Sequence, residues 1–160
     1  MELKEFIAEL ATKAGVEGLE PDEEGAYNLL IDGMQVSFRE TPEGGSAYFF
    51  ATVGDLPTAA GEAFYRMLLE AMYLGRGTGE ASLSIDGERK LVCLHRIVIL
   101  EGLDHAGFSK ALEAFVNTLE VWGKTVADYR ELAPALAEAA QAATDESRQL
   151  GMGLGGMMQV

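Results

Sequence analysis

Cys93 and His95 stand two residues apart in the apolar run "KLVCLHRIVIL". In a strand that spacing puts a thiol and an imidazole on one face, the geometry of a thiolate pair. Alternation puts Leu91 and Ile97 on the same face, so a packed thiol beside a hydrogen-bonded histidine accounts for the pattern equally well. Gly75, Gly77 and Gly79 form G-x-G-x-G, which raises the chemistry of a phosphate cradle. The glycines follow a helical pattern and precede a strand, the reverse of a dinucleotide fingerprint, and no G-K-[ST] follows, so they read as a turn. Four carboxylates crowd "EPDEEG", but the glycine and spacing of a calcium loop are missing and a solvated loop is the simpler reading. His105, at a helix start, reads as a surface residue. The chain reads as non-enzymatic, with no catalytic residue, metal ligand or cofactor assigned.

Composition narrows the partners. With 12 basic against 26 acidic side chains in 160 residues, the formal charge is −14. Such a field repels nucleic acid and anionic membranes and suits basic or uncharged partners. The start "MELKEFIAELATKAG" mixes acids with its apolar residues and reads as a mature helix instead of a signal peptide. The longest apolar run is broken by His95 and Arg96 and is too short for a bilayer, so no membrane insertion is expected. One cysteine excludes an internal disulfide and fits a reducing cytoplasm.

The elements that must position these residues follow from periodicity. Leu3, Phe6, Ile7 and Leu10 fall at helical spacing, and Gly15 is placed to stop that helix. In "YNLLIDGMQVSFRE" the period becomes two around Asp32-Gly33, a dipeptide suited to a type I′ turn. That turn sets Ile31 against Met34, Leu29 against Val36 and Tyr27 against Phe38, leaving Asn28, Gln35, Ser37 and Arg39 on the other face. "AYFFATV" is a third strand, apolar on both faces. "GEAFYRMLLEAMYLG" is a helix with a single polar stripe, Glu62, Arg66 and Glu70, whereas a helix lying on one core needs an apolar arc of only about 100°. "ASLSID" and "LVCLHRIVIL" are two further strands, the second central, their hairpin register left open by "DGERK". From Asp104, an N-cap, Phe108, Leu112, Phe115, Leu119, Trp122, Val126 and Tyr129 trace the longest helix. Pro134 is expected to start a separate helix through about Arg148, ahead of a Gly/Met tail.

The expected fold is therefore α+β, in the order α-β-β-β-α-β-β-α, with a five-stranded twisted antiparallel sheet and a C-terminal helical extension. The order, together with "LLEAMYLGRGTGEASLSIDGERKLVCLHRIVILEGLD" and "ALEAFVNTLEVW", resembles the class I type III secretion chaperones of the Tir chaperone family. The likeness runs from about residue 3 to 130 and is most specific between Leu68 and Trp122. It divides the chain into a chaperone-like domain, 1–130, and an extension with a flexible tail, 131–160, onto which nothing carries over. Met72 departs from the family, which often has Asn there.

The resemblance implies a cytoplasmic homodimer that holds a non-globular segment near the N-terminus of a secreted effector, without ATP, and delivers it for type III secretion. It also implies that the second helix forms much of the dimer interface, through Phe64, Met67, Leu68, Ala71 and Met72. Four such large side chains, at roughly 1.5 to 3 kcal/mol each, are worth on the order of 10 kcal/mol per subunit before association costs. The alternative is that the first and last helices of the same chain cover them. For the effector, the first helix and hairpin nominate Phe6, Leu10, Leu29, Ile31, Val36 and Phe38, residues whose spacing any buried face would also show. A dimeric adaptor of the same fold with no secretion client is the other functional reading.

Overall fold

The structure, a computed structural model, describes residues 1–16, 18–58 and 60–154. The order is α1 (Leu3–Ala14), β1 (Tyr27–Ile31), β2 (Met34–Glu40), β3 (Ser46–Asp55), α2 (Glu62–Met72), a 3-10 turn (Tyr73–Gly75), β4 (Ser82–Asp86), β5 (Leu91–Ile99) and α3 (His105–Leu154). The five strands form one antiparallel sheet in the order β1-β2-β3-β5-β4. Among the described residues no helix is long and apolar enough to cross a membrane.

Local chemistry explains most element ends. Glu2 and Glu5 cap the start of α1 reciprocally, and Gly15, in the left-handed region at φ 69°, ends it. Asp32 and Gly33 both take positive φ, as a type I′ turn requires, and fix the expected register of the first hairpin. The second hairpin pairs Asp86 with Leu91, its turn held by the Asp86 carboxylate accepting the Glu88 and Arg89 N–H groups. Asp104 accepts the Gly107 N–H at 2.7 Å and so caps α3.

One layer of helices packs on one sheet face. Leu29, Val36, Phe38, Phe49, Val92, Leu94 and Val98 meet Phe6, Phe64, Phe108, Phe115 and Val126 in a single core. Phe108 is its hub, stacked on Phe6 at 4.6 Å between ring centres and edge-on to Phe49 at 5.1 Å. Trp122 ties α3 to the glycine connector by donating its indole N–H to the Gly77 carbonyl at 2.9 Å.

The helix expected to begin at Pro134 does not begin there: α3 runs through Pro134 without interruption. Proline leaves the Arg130 carbonyl without its helical donor, and both residues are exposed, so water replaces that bond and the helix continues. Beyond Tyr129 the described side chains up to Asp145 are exposed. The last part of the Gly/Met tail, 155–160, lies outside the described residues.

Candidate partner-binding surfaces

β3 and β5 are apolar on both faces, and only one face is covered by helices. The other carries Tyr48 and Phe50 from β3 and Leu91, Cys93, His95, Ile97 and Ile99 from β5, half-buried or exposed. The pairing aligns Asn28, Ser37, Phe50, His95 and Ser82 in one row across all five strands. Twist makes this face concave, with a cavity of about 750 Å³ whose lining includes Phe50, Cys93, His95, Ser37 and Ser84. Arg39 lies over the Phe50 ring at 5.8 Å.

Cys93 and His95 do share that face. The imidazole Nδ1 is 3.2 Å from the Ser84 hydroxyl. Partial burial, and then the Asp86 carboxylate, push the Cys93 thiol up from its ordinary value, the opposite of an activated nucleophile. In "EPDEEG" the work falls to Asp22. Its carboxylate accepts the Glu24 and Ala26 N–H groups and the Asn28 amide, ordering the approach to β1. Those bonds, from Ala26 first and then Asn28, hold its pKa below the ordinary carboxyl value. No group of three or more His, Cys, Asp or Glu among the described residues is placed to hold a metal ion. The glycine connector is a turn, as expected. Gly77 lies so close to α2 that an added Cβ would sit 3.0 Å from the Ala71 Cβ, and its N–H donates to the Ala71 carbonyl.

The sheet's edges differ. In a two-residue hairpin Ile31 and Met34 exchange hydrogen bonds, so Asn28 and Leu30 direct their backbone groups away from β2, along an open edge. Leu30 is 74% exposed there. At β4 the edge is blunted by α2, because the Met72 sulfur accepts the outward Leu83 N–H at 3.1 Å.

The nominated residues separate into two groups. Phe64 is fully buried and Leu68 nearly so within the chain's own core, with Phe64 packed 4.8 Å from the Tyr129 ring. They are corrected to core residues, because α2 turns that side toward α3 and the sheet. Met67 and Ala71 line a groove of about 720 Å³ beside Arg76 and Gly77, and Met72 is half-buried against β4. The exposed apolar row of α2 is instead Tyr65, Leu69 and Tyr73, continued by Leu74 at 83% exposure. Leu74 also adopts the left-handed backbone at φ 54°, a conformation that costs a leucine about 1–2 kcal/mol. Among the effector-binding nominees, Phe6, Val36 and Phe38 are wholly buried and Leu29 nearly so, and they too are corrected to core. Leu10 and Ile31 keep part of their surface at the seam between helix and hairpin. Tyr48, Phe50, Ile97, Ile99, Tyr65, Leu69, Tyr73 and Leu74 were missed. The available signal was apolar residues in both parities of β3 and β5 and around most of α2.

A sheet clad on one face, open and apolar on the other, with one free edge strand and an unshielded helix row, defines a protein-binding module. The sequence identifies which kind: residues 5–123 match the Tir chaperone protein (CesT) family, and the chain belongs to that family. No curated protein matches the chain in sequence. Among solved structures it is similar to the ExsC-ExsE complex, with a TM-score of 0.64 and 22% identity over 79% of this chain and 97% of that one. It is also similar to the HopA1-SchA chaperone-effector complex, at 0.61 and 13% over 76% of this chain and 92% of that one. A third likeness is to the heterodimeric ExoU-SpcU complex from the type III secretion system of Pseudomonas aeruginosa, at 0.55 and 15% over 73% and 90%. At these identities the likenesses show the shared fold.

Proposed function

We propose that this chain is a cytoplasmic, homodimeric chaperone that works without ATP, holding a non-globular N-terminal segment of a secreted effector and delivering it for type III secretion. Family membership supports this reading, and so do the structural likenesses to complexes described as chaperone with effector. The observation that carries it is the open apolar sheet face beside the free β1 edge, which suits an extended segment laid down with its backbone paired and its side chains in the concavity. Ordering such a segment costs conformational entropy, so a long contact fits better than a few strong points. The homodimer is assigned to the α2 row Tyr65, Leu69, Tyr73 and Leu74, with Met67, Ala71 and Met72 at its flank. Residues 1–130 form the chaperone unit and 131–160 an appendage.

Co-expression with products of neighbouring genes, followed by limited proteolysis, tests the client reading. The expected result is a stable complex in which only an N-terminal stretch of the client gains protection. A client bound fully folded, with no such footprint, would make the chain an adaptor instead.

A further inference from the structure

Phe64, Leu68 and Met72 recur every four residues along the inward side of α2, and the third differs from the other two. Phe64 and Leu68 are closed off in the core, whereas Met72 is half-buried, so part of its side chain meets solvent. Its sulfur accepts the Leu83 N–H at 3.1 Å and joins the end of α2 to the β4 edge. Past Leu68 the helix buries no side chain: Leu69 and Glu70 are exposed, Ala71 is half-buried, and the turn Tyr73–Gly75 has no buried residue. The Gly77 N–H donates to the Ala71 carbonyl at 2.8 Å, but that bond ties α2 to the glycine connector and not to the sheet. Met72 is thus a direct polar link between the last turn of α2 and the sheet. It stands two residues before Leu74, whose backbone is already held in the left-handed region.

A thioether sulfur is a weak acceptor and is also the atom that peroxides oxidise. Hydrogen peroxide delivers one oxygen to it: the O–O bond breaks, the sulfur gives up two electrons in forming the S–O bond, and the second oxygen leaves as water with both protons. The sulfoxide is polar, and its oxygen has no room between a sulfur and a nitrogen 3.1 Å apart. The side chain must withdraw from the seam between α2 and β4, or turn its oxygen away from Leu83. On either path the packed contact between the Met72 sulfur and the Leu83 N–H is lost, and the outward edge of β4 opens.

We infer that Met72 is a modification site, an oxidation-sensitive latch whose conversion to the sulfoxide frees the last turn of α2 from β4 and displaces the apolar row that Tyr73 and Leu74 complete. The reagent it answers to is a peroxide, and reduction of the sulfoxide resets it. The effect on self-association rests on the proposed homodimer; the release of α2 from β4 does not.

The test treats the full chain with hydrogen peroxide, reads oxidation at each methionine by peptide mass spectrometry, and follows Leu83 amide exchange by NMR. Oxidation of Met72 should speed exchange at Leu83 by about tenfold or more, and the two methionine sulfoxide reductases, one for each sulfoxide epimer, should together restore the native rate. Met72→Leu keeps the volume, cannot be oxidised and lacks the acceptor. Its Leu83 amide should exchange fast from the start and gain nothing further from peroxide. Light scattering should show the mass of the oxidised native chain falling toward that of a single copy. Unchanged Leu83 exchange in chains oxidised at Met72 overturns the inference, as does a Met72 that stays reduced while the exposed Met1 is fully oxidised. So does a Met72→Leu chain that responds to peroxide as the native chain does, or a native dimer that keeps its mass when oxidised. A chain that is a single copy before any treatment sinks the homodimer instead, and the Leu83 exchange rate still decides the latch.

Discussion

The two faces of β3 and β5 are built from much the same residue types and end in opposite conditions. Ala47, Phe49, Val92, Leu94 and Val98 are enclosed by helices; Tyr48, Phe50, Ile97 and Ile99, one residue away along the same strands, meet solvent or line a concavity. α2 repeats the contrast, with Phe64 and Leu68 inside and Tyr65 and Leu69 outside. Apolar content therefore marks a surface to be covered without saying by what. One set of faces holds the fold together, and the other, which the proposed function gives to partners, stays exposed and at Leu74 carries backbone strain.

Substitutions that separate the two sets should show it. Phe49→Ala, which removes a ring packed edge-on to both Phe38 and Phe108, should lower stability by about 3–5 kcal/mol in urea denaturation. Phe50→Ser, its outward neighbour, should weaken client capture about tenfold, about 1.4 kcal/mol, with a much smaller stability loss; equal losses at both positions would erase the distinction. Trp122→Phe leaves the Gly77 carbonyl without its donor and removes part of a buried ring, and should cost about 1–3 kcal/mol by the same denaturation.

The smallest expected effect is one of pH. Asp22 has a folded pKa below its ordinary 3.8, so its contribution is fully present above that value and is lost as pH falls through the folded pKa. Replacing Asp22 with Asn should lower stability above about pH 4, and its difference from the native chain should disappear as pH falls further below that value. A difference that persists unchanged through lower pH would show that the charge is not what matters there.

Much of the fold is legible because local chemistry dictates it. Asp32-Gly33 admits one turn and hence one register; Gly15 and Asp104 end and begin helices; the spacing from Phe108 to Tyr129 has one helical solution. The assignment of faces is not legible in this way. Phe64 and Tyr65 are both aromatic neighbours on a helix apolar nearly all round, and only the tertiary position of α3 decides which turns inward. Phe6, Val36 and Phe38 have the periodicity of any buried face, so nominating them for partner contact could not be separated from core packing. The passage of α3 through Pro134 depends on that turn being exposed to water, which composition does not encode.

Light scattering on the purified chain tests the central claim, that the uncovered α2 row exists for a twin. The account predicts about twice the 17.2 kDa chain mass, and a single-chain mass for a Leu69→Glu, Leu74→Glu variant that still unfolds cooperatively. A native chain that stays at a single-chain mass when concentrated, or a double variant that remains dimeric, would contradict it.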